Sequence, residues 1–351
     1  MKKVKILSMG FSVPHNSYTQ GEIFQELGYP SHFRRLFTEA QIDKRHFWVP
    51  LEKVRKLSFQ EQQDEYLKGA IYLSKEAILN CLDGKDPHDI GCLVFVSCTG
   101  FVPGPTVGHY LAKELGLDVG IYITNIGSMG CEGGFPGLKR AYDFVSTSGK
   151  PALVIACELS SCSYFPEPSG KPDSENHFEL ARSNAIFADA ASCCLVGYED
   201  PPDWRHPHIV DTESYFNPEY MNDLGYVWRD GRLRVLLSRR VPDLAPEVVG
   251  SAAIRLLRRQ KLLIEDIQWW VIHAAGSIVL DKIRDALRLP EEKMRLSREI
   301  LKTYGNCSSA TIGLIGKRLM HEDVEPGDKA MVLSVGPGMV GGSSLLTFGG
   351  E

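Results

Sequence analysis

The sequence predicts an α/β protein built from two related halves. Short apolar runs of strand length alternate with longer amphipathic runs of helix length. One pattern of such elements also occurs twice along the chain. The 351 residues are enough for one large or two medium domains with a substantial core.

Met1–Leu7 reads as a first strand, because it has lysines but neither the long apolar core nor the small-residue cleavage site of a signal peptide. The basic segment Arg34-Arg35 to Lys44-Arg45-His46 is a solvated surface or a patch for the phosphates of a carrier such as coenzyme A. Tyr66 to Leu82 has the periodicity of an amphipathic helix. It leads through Asp89-Ile90-Gly91 into the buried strand Cys92–Val96, then Ser97-Cys98-Thr99-Gly100, then a helix ending at Glu114-Leu115-Gly116-Leu117. The apolar stretch Val119–Ile123 opens onto a Gly-rich turn holding Cys131, and Phe135–Val145 reads as the helix behind it. Ala152–Ala156 is a second buried strand.

The polar, Pro-rich Glu199-Asp200-Pro201-Pro202-Asp203 marks the join, giving halves 1–199 and 200–351. Beyond it the pattern returns. A helix over Pro246–Gln260 leads to Asp266-Ile267, the strand Trp269–Ile272, then His273-Ala274-Ala275-Gly276 and a helix ending at Ala286-Leu287-Arg288-Leu289. Ala330–Ser334 is a further buried strand. Cys307 lies as far beyond His273 as Cys131 lies beyond Ser97. The Cys131 turn and the turn Tyr304-Gly305-Asn306-Cys307-Ser308-Ser309 are therefore equivalent places.

Composition excludes several classes. A net charge of −5 argues against nonspecific nucleic-acid binding. No apolar run approaches a membrane span. The nine cysteines contain no CxxC pair, which argues against a zinc or dithiol site and for a reduced, cytoplasmic protein.

Three polar residues sit at element ends where chemistry is usually placed. Cys131 lies on a Gly-rich turn at a helix start, where unpaired N–H groups and the helix dipole favour a thiolate. His273 emerges from a buried strand, and Asn306 stands beside the equivalent turn of the second half. The repeat brings the three into one pocket. A Cys–His–Asn set suits thioester chemistry: the thiolate accepts an acyl group, and His and Asn donate to the oxygen of an enolate formed by decarboxylation. A Cys–His–Asn protease uses similar groups, but the local sequence around Cys131 does not match one.

These residues carry a family resemblance. The chain resembles the type III polyketide synthases, the chalcone-synthase-like branch of the thiolase-fold condensing enzymes, and more distantly the ketoacyl synthase III enzymes. Gly130-Cys131-Glu132-Gly133-Gly134 resembles the nucleophile motif, and Ile272-His273-Ala274-Ala275-Gly276 the motif Ile-His-Pro-Gly-Gly. Tyr304-Gly305-Asn306-Cys307-Ser308-Ser309-Ala310 is similar to Tyr-Gly-Asn-Met-Ser-Ser-Ala, and Phe187-Ala188-Asp189-Ala190-Ala191 to Phe-Gly-Asp-Gly-Ala. Gly336-Pro337-Gly338 resembles the end of a cavity-shaping Gly-Phe-Gly-Pro-Gly loop.

The resemblance implies a five-layered αβαβα thiolase fold of two pseudo-symmetric halves, assembled as a homodimer. It implies Cys131 as acyl carrier and His273 and Asn306 as catalysts of decarboxylation. Phe187 is implied as a gatekeeper. Cys98, Ser308, Gly336, Pro337 and Gly338 are implied as cavity wall, and Arg35 as a contact for coenzyme A. The implied substrates are acyl- and malonyl-coenzyme A, with no cofactor and no metal. An acyl carrier protein is the other donor to consider. The alternatives are a ketosynthase III-like enzyme that joins or transfers acyl chains, an inactive partner subunit, and a thioester hydrolase.

The sequence departs from the family in several places. Glu132 follows the nucleophile where the family carries a neutral residue. A carboxylate aimed at the sulfur would oppose thiolate formation, so a side chain turned away is expected. Ser334-Val335 replaces the Gly-Phe of the loop, and the second gatekeeper Phe aligns with Arg240.

Overall fold

The computed structural model describes residues 2–163, 175–229 and 232–349. Within these the strands, in chain order, are β1 (Lys5–Ser12), β2 (Ser17–Thr19), β3 (Lys44–His46), β4 (Cys92–Ser97), β5 (Tyr122–Gly127), β6 (Ala152–Leu159), β7 (Asp189–Gly197), β8 (His208–Phe216), β9 (Leu224–Arg229), β10 (Arg232–Leu237), β11 (Trp269–Ile272), β12 (Lys329–Gly336) and β13 (Val340–Thr347). Nine of them form one sheet in the order β11-β12-β13-β8-β1-β7-β6-β4-β5, while β2–β3 and β9–β10 are separate hairpin-like pairs.

The order reads the same outward from its middle. β4 runs parallel to β6, β6 antiparallel to β7, and β7 antiparallel to β1. Likewise β11 runs parallel to β12, β12 antiparallel to β13, and β13 antiparallel to β8. The halves meet where Lys5 of β1 pairs with His208 of β8. There Lys5 Nζ also reaches Glu199 Oε2 at 3.3 Å and the Asp203 carbonyl at 2.6 Å. β5 has no strand counterpart among the described residues: the helix Arg295–Tyr304 occupies the equivalent stretch of the second half.

Five layers follow from what each helix touches. The helix Phe59–Leu82 packs on β1, β6 and β7. The helix Val241–Gln260 packs on β8, β12 and β13. Between them lie two helices that touch strands of both halves: Gly134–Ser148 against β4, β6 and β13, and Thr311–Leu319 against β1, β7 and β11. This is the αβαβα arrangement of two pseudo-symmetric halves, with a helix following each of the two equivalent turns at its centre.

Two helices start earlier than periodicity predicts. The first begins at Phe59, not Tyr66, because Ser58 and Glu61 form a capping box in which Ser58 accepts from the Glu61 N–H and Glu61 accepts from the Ser58 N–H at 2.7 Å. The helix expected from Pro246 begins at Val241. Pro242 near its start supplies the fixed φ, and Pro246 inside it forgoes one backbone bond. Strand β6 runs past its apolar stretch to include Glu158, a carboxylate carried into the interior.

Candidate active site

Cys131 stands on a short 3-10 turn, Gly130–Glu132, between β5 and the helix Gly134–Ser148. Gly130 has φ +52°. A side chain there would meet Pro337 at 2.5 Å and Tyr226 Oη at 2.7 Å, so both the backbone conformation and the crowding demand glycine. His273 directly follows β11, and Asn306 follows the helix Arg295–Tyr304. A cavity of about 230 Å³ is lined by Cys131, His273 and Asn306 together with Phe187, Arg182 and Val335. Arg35 lines it as well. Its side chain is mostly exposed, and its Nε donates to Glu39 Oε1 at 2.9 Å.

His273 is 2% exposed, and neither ring nitrogen has a hydrogen-bond partner. Burial pushes its pKa down to about 3, so the imidazole is neutral and one N–H is free to donate to a reacting oxygen. Asn306 Oδ1 accepts from the Ser308 N–H at 2.8 Å, and Nδ2 donates to the Ala275 carbonyl at 3.2 Å. These bonds fix which way the amide points, and they leave one Nδ2 hydrogen unused.

The Cys131 thiol donates to Ser308 Oγ at 3.5 Å. Burial raises its pKa to about 12. The Ser308 hydrogen bond works against that rise, and the Glu158 charge adds to it. Either charge alone, thiolate or imidazolium, is unfavourable in this enclosure. Formed together by proton transfer from Cys131 to His273, they compensate one another.

Behind the nucleophile lies a polar cluster. Cys98 Sγ is 3.6 Å from Ser308 Oγ and donates to Glu158 at 3.3 Å, and it accepts from Tyr226 Oη at 3.0 Å. Thr99 Oγ1 donates to Glu158 at 3.0 Å, and Ser309 Oγ donates to it at 2.5 Å. Burial pushes the Glu158 carboxyl up, against these bonds. Phe187 packs with Leu233 and Val235 of β10 into a small apolar cluster that also touches Cys131, Tyr226 and Leu237.

Several sequence expectations about the wall are corrected. Gly336 and Pro337 pack behind the nucleophile turn, against Glu132 and Gly130, and the Gly338 N–H donates to the Leu224 carbonyl at 2.7 Å. Val335 lines the cavity in their place. Arg240, which aligns with the family's second gatekeeper Phe, lies on the surface. It precedes the helix Val241–Gln260, its side chain is exposed, and it pairs with Asp223 at 3.3 Å. Val235 faces Phe187 instead. Glu132 is buried, with one carboxylate oxygen unpartnered and the other beside Gly342 of β13. Burial raises it to about 8.

Sequence reading missed Arg182, Tyr226 and Glu158. Only Glu158 had a local signal, a carboxylate closing an apolar strand. Among the described residues no group of three or more His, Cys, Asp or Glu side chains is placed to hold a metal ion, and no helix is long and apolar enough to cross a membrane.

The two mirrored half-sheets and the Cys–His–Asn cavity at their junction define a thiolase-fold condensing enzyme. Comparison with known proteins narrows this. Residues 31–201 match the chalcone and stilbene synthase N-terminal domain, and residues 257–348 match the C-terminal domain of 3-oxoacyl-[acyl-carrier-protein] synthase III. A 1,3,6,8-tetrahydroxynaphthalene synthase of Streptomyces peucetius is 30% identical over 90% of this chain and 83% of its own length. A 3,5-dihydroxyphenylacetyl-CoA synthase of Streptomyces toyocaensis is 26% identical over 95% of this chain and 87% of its own. The crystal structure of PKS-I from the brown alga Ectocarpus siliculosus superposes with a TM-score of 0.88 at 23% identity, covering 99% of each chain. The chain belongs to the type III polyketide synthase family and is an acyltransferase.

Alkylation of Cys131 by iodoacetamide, followed against pH, tests the pairing with His273. Wild type reacts with an apparent pKa below the ordinary thiol value of 9.0, whereas His273→Ala leaves burial unopposed and moves the inflection toward about 12. An unchanged profile removes His273 as the proton acceptor.

Glu132 gives a second test. Its folded-state pKa, about 8, exceeds the ordinary glutamate value of 4.5. The folded state therefore binds more protons in that window, and stability falls as pH rises through it. Melting of Glu132→Gln against wild type is expected to show an advantage growing between pH 5 and pH 8, at most about 1.4 kcal/mol per pH unit.

Proposed function

We propose that Cys131 accepts an acyl group from an acyl-coenzyme A and that His273 and Asn306 then drive a decarboxylative condensation with malonyl-coenzyme A. The supporting observation is the shared cavity, in which a half-buried thiol faces a neutral, unpartnered imidazole and an oriented amide.

In loading, the Cys131 proton passes to His273, and the thiolate attacks the acyl thioester carbonyl. A new C–S bond forms, and the coenzyme A thiolate leaves with the proton from the imidazolium. His273 is then neutral again. In decarboxylation the malonyl Cα–carboxylate bond breaks, and carbon dioxide departs. The electron pair moves into an enolate whose oxygen accepts from the His273 N–H and the free Asn306 N–H. The enolate carbon attacks the acyl carbonyl on Cys131, a carbon–carbon bond forms, and the thiolate leaves. These side chains carry the whole sequence, so the reading gives no step to a metal or cofactor. The product is a polyketide of the pyrone or resorcinol type. Arg35, an exposed residue of the cavity lining, would meet the phosphates of the incoming thioester.

We also propose a homodimer. β5 ends the sheet with an unpaired edge and carries Tyr122 at 62% exposure. A monomer by sedimentation equilibrium at micromolar concentration would dispose of that assignment.

The reaction is tested with a panel of acyl-coenzyme A starters plus malonyl-coenzyme A, reading product masses and released carbon dioxide. Wild type is expected to yield carbon dioxide and products longer than the starter. Cys131→Ala should lose loading and elongation by at least roughly 10³-fold, as removal of a covalent nucleophile does. Free acid as the main product, with no lengthening, would point to a hydrolase.

A further inference from the structure

Arg45 is a charged residue at 0% exposure, carried by β3 and remote in sequence from every catalytic turn. An enclosed charge is costly unless its bonds are well placed. Nη1 donates to the Phe187 carbonyl at 2.7 Å, and Nε donates to Gln20 Oε1 at 3.0 Å. Gln20 Nε2 in turn donates to the Ala185 carbonyl at 2.7 Å. Two carbonyls of a single turn, 185 and 187, are thus held by one side-chain pair.

The same turn is bonded to the catalytic loop of the second half. The Asn306 N–H donates to the Ile186 carbonyl and the Ala188 N–H to the Asn306 carbonyl, each at 2.9 Å. Gly305, at φ +77°, lies over the arginine stem, where a side chain would stand 2.9 Å from Arg45 Cγ. The guanidinium carbon sits 5.4 Å from the Phe47 ring centroid, and Asp189 is its neighbouring opposite charge. Nη2 has no hydrogen-bond partner.

We infer that Arg45 is a positioning residue: it holds the 185–188 turn and through that turn sets where Phe187 and Asn306 stand relative to Cys131. Cys131 and His273 sit on turns to which Arg45 makes no hydrogen bond. Loss of Arg45 therefore disturbs the step that needs Asn306, decarboxylation, more than the step that needs Cys131 and His273, acyl loading. The kinetic part of this inference rests on the reaction proposed above, while the geometric part does not.

The experiment compares wild type with Arg45→Met, which keeps the stem, Arg45→Lys, which keeps the charge but not the planar fork of donors, and Gln20→Ala. Gln20→Ala frees the same turn from the other side should Arg45→Met fail to fold. Amide hydrogen exchange is measured together with Cys131 loading by intact mass and carbon dioxide release from malonyl-coenzyme A. In Arg45→Met the segments around Ala188 and Asn306 exchange about tenfold faster, while β4 and β6 keep wild-type protection. Decarboxylation falls roughly 10²-fold with loading within about threefold, the size expected for a displaced catalytic group. Arg45→Lys recovers part of the loss, and Gln20→Ala gives the same split with smaller amplitude.

The inference is overturned if those amides keep their protection, or if loading and decarboxylation fall by one common factor. Wild type that releases no carbon dioxide would instead overturn the proposed reaction, and the exchange measurement would then decide the role of Arg45 alone.

Discussion

Two backbone hydrogen bonds join the halves of this enzyme at its chemistry: Asn306 N–H to the Ile186 carbonyl and Ala188 N–H to the Asn306 carbonyl. Each half-sheet could form its own ladder without them. The cavity could not, because Phe187 comes from the first half and Asn306 from the second. The bonds fix the distance across the cavity with main-chain atoms, which have no rotamers to explore. Arg45 and Gln20 brace one side of this bridge, and the arginine stem fills the space beneath Gly305.

The bridge matters because the catalytic groups are enclosed. Burial is the main force that drives Cys131 up to about 12 and the one that drives His273 down to about 3. A neutral imidazole keeps an N–H available for an enolate oxygen once the acyl group is on the sulfur. Reactivity appears only when both groups change charge together. Glu158 and Glu132 fit the same logic. Both are carboxyls raised by burial, so enclosure disfavours their ionised forms as it disfavours the thiolate.

What the sequence revealed was whatever repeats or alternates locally. The strand runs, the equal spacing of the two turns, and the motifs around Cys131, His273 and Asn306 all lie within short windows. The mirrored order β4-β6-β7-β1 and β11-β12-β13-β8 is the structural form of that spacing. What stayed hidden depends on distant pairing. Tyr226 and Val235 reach Cys131 only because β9 and β10 fold over the turn. A loose alignment placed Arg240 where Val235 stands, since nothing in an isolated segment says which residue of a strand faces inward once the strand's own partner is unknown. Arg45 read as one charge in a basic surface run, yet strand pairing with Tyr18 and the packing of Gly305 carry it inside.

The missing counterpart of β5 makes the two ends of the sheet unlike. One end is a six-residue strand with an open ladder. The other, β11, is four residues long, and Lys293 Nζ caps the Gln268 carbonyl at its start at 2.6 Å. Short, lysine-guarded edges resist pairing. Had both ends been alike, copies could add head to tail into a filament. With a single receptive edge, the homodimer proposed above would close at two copies, and growth would stop there.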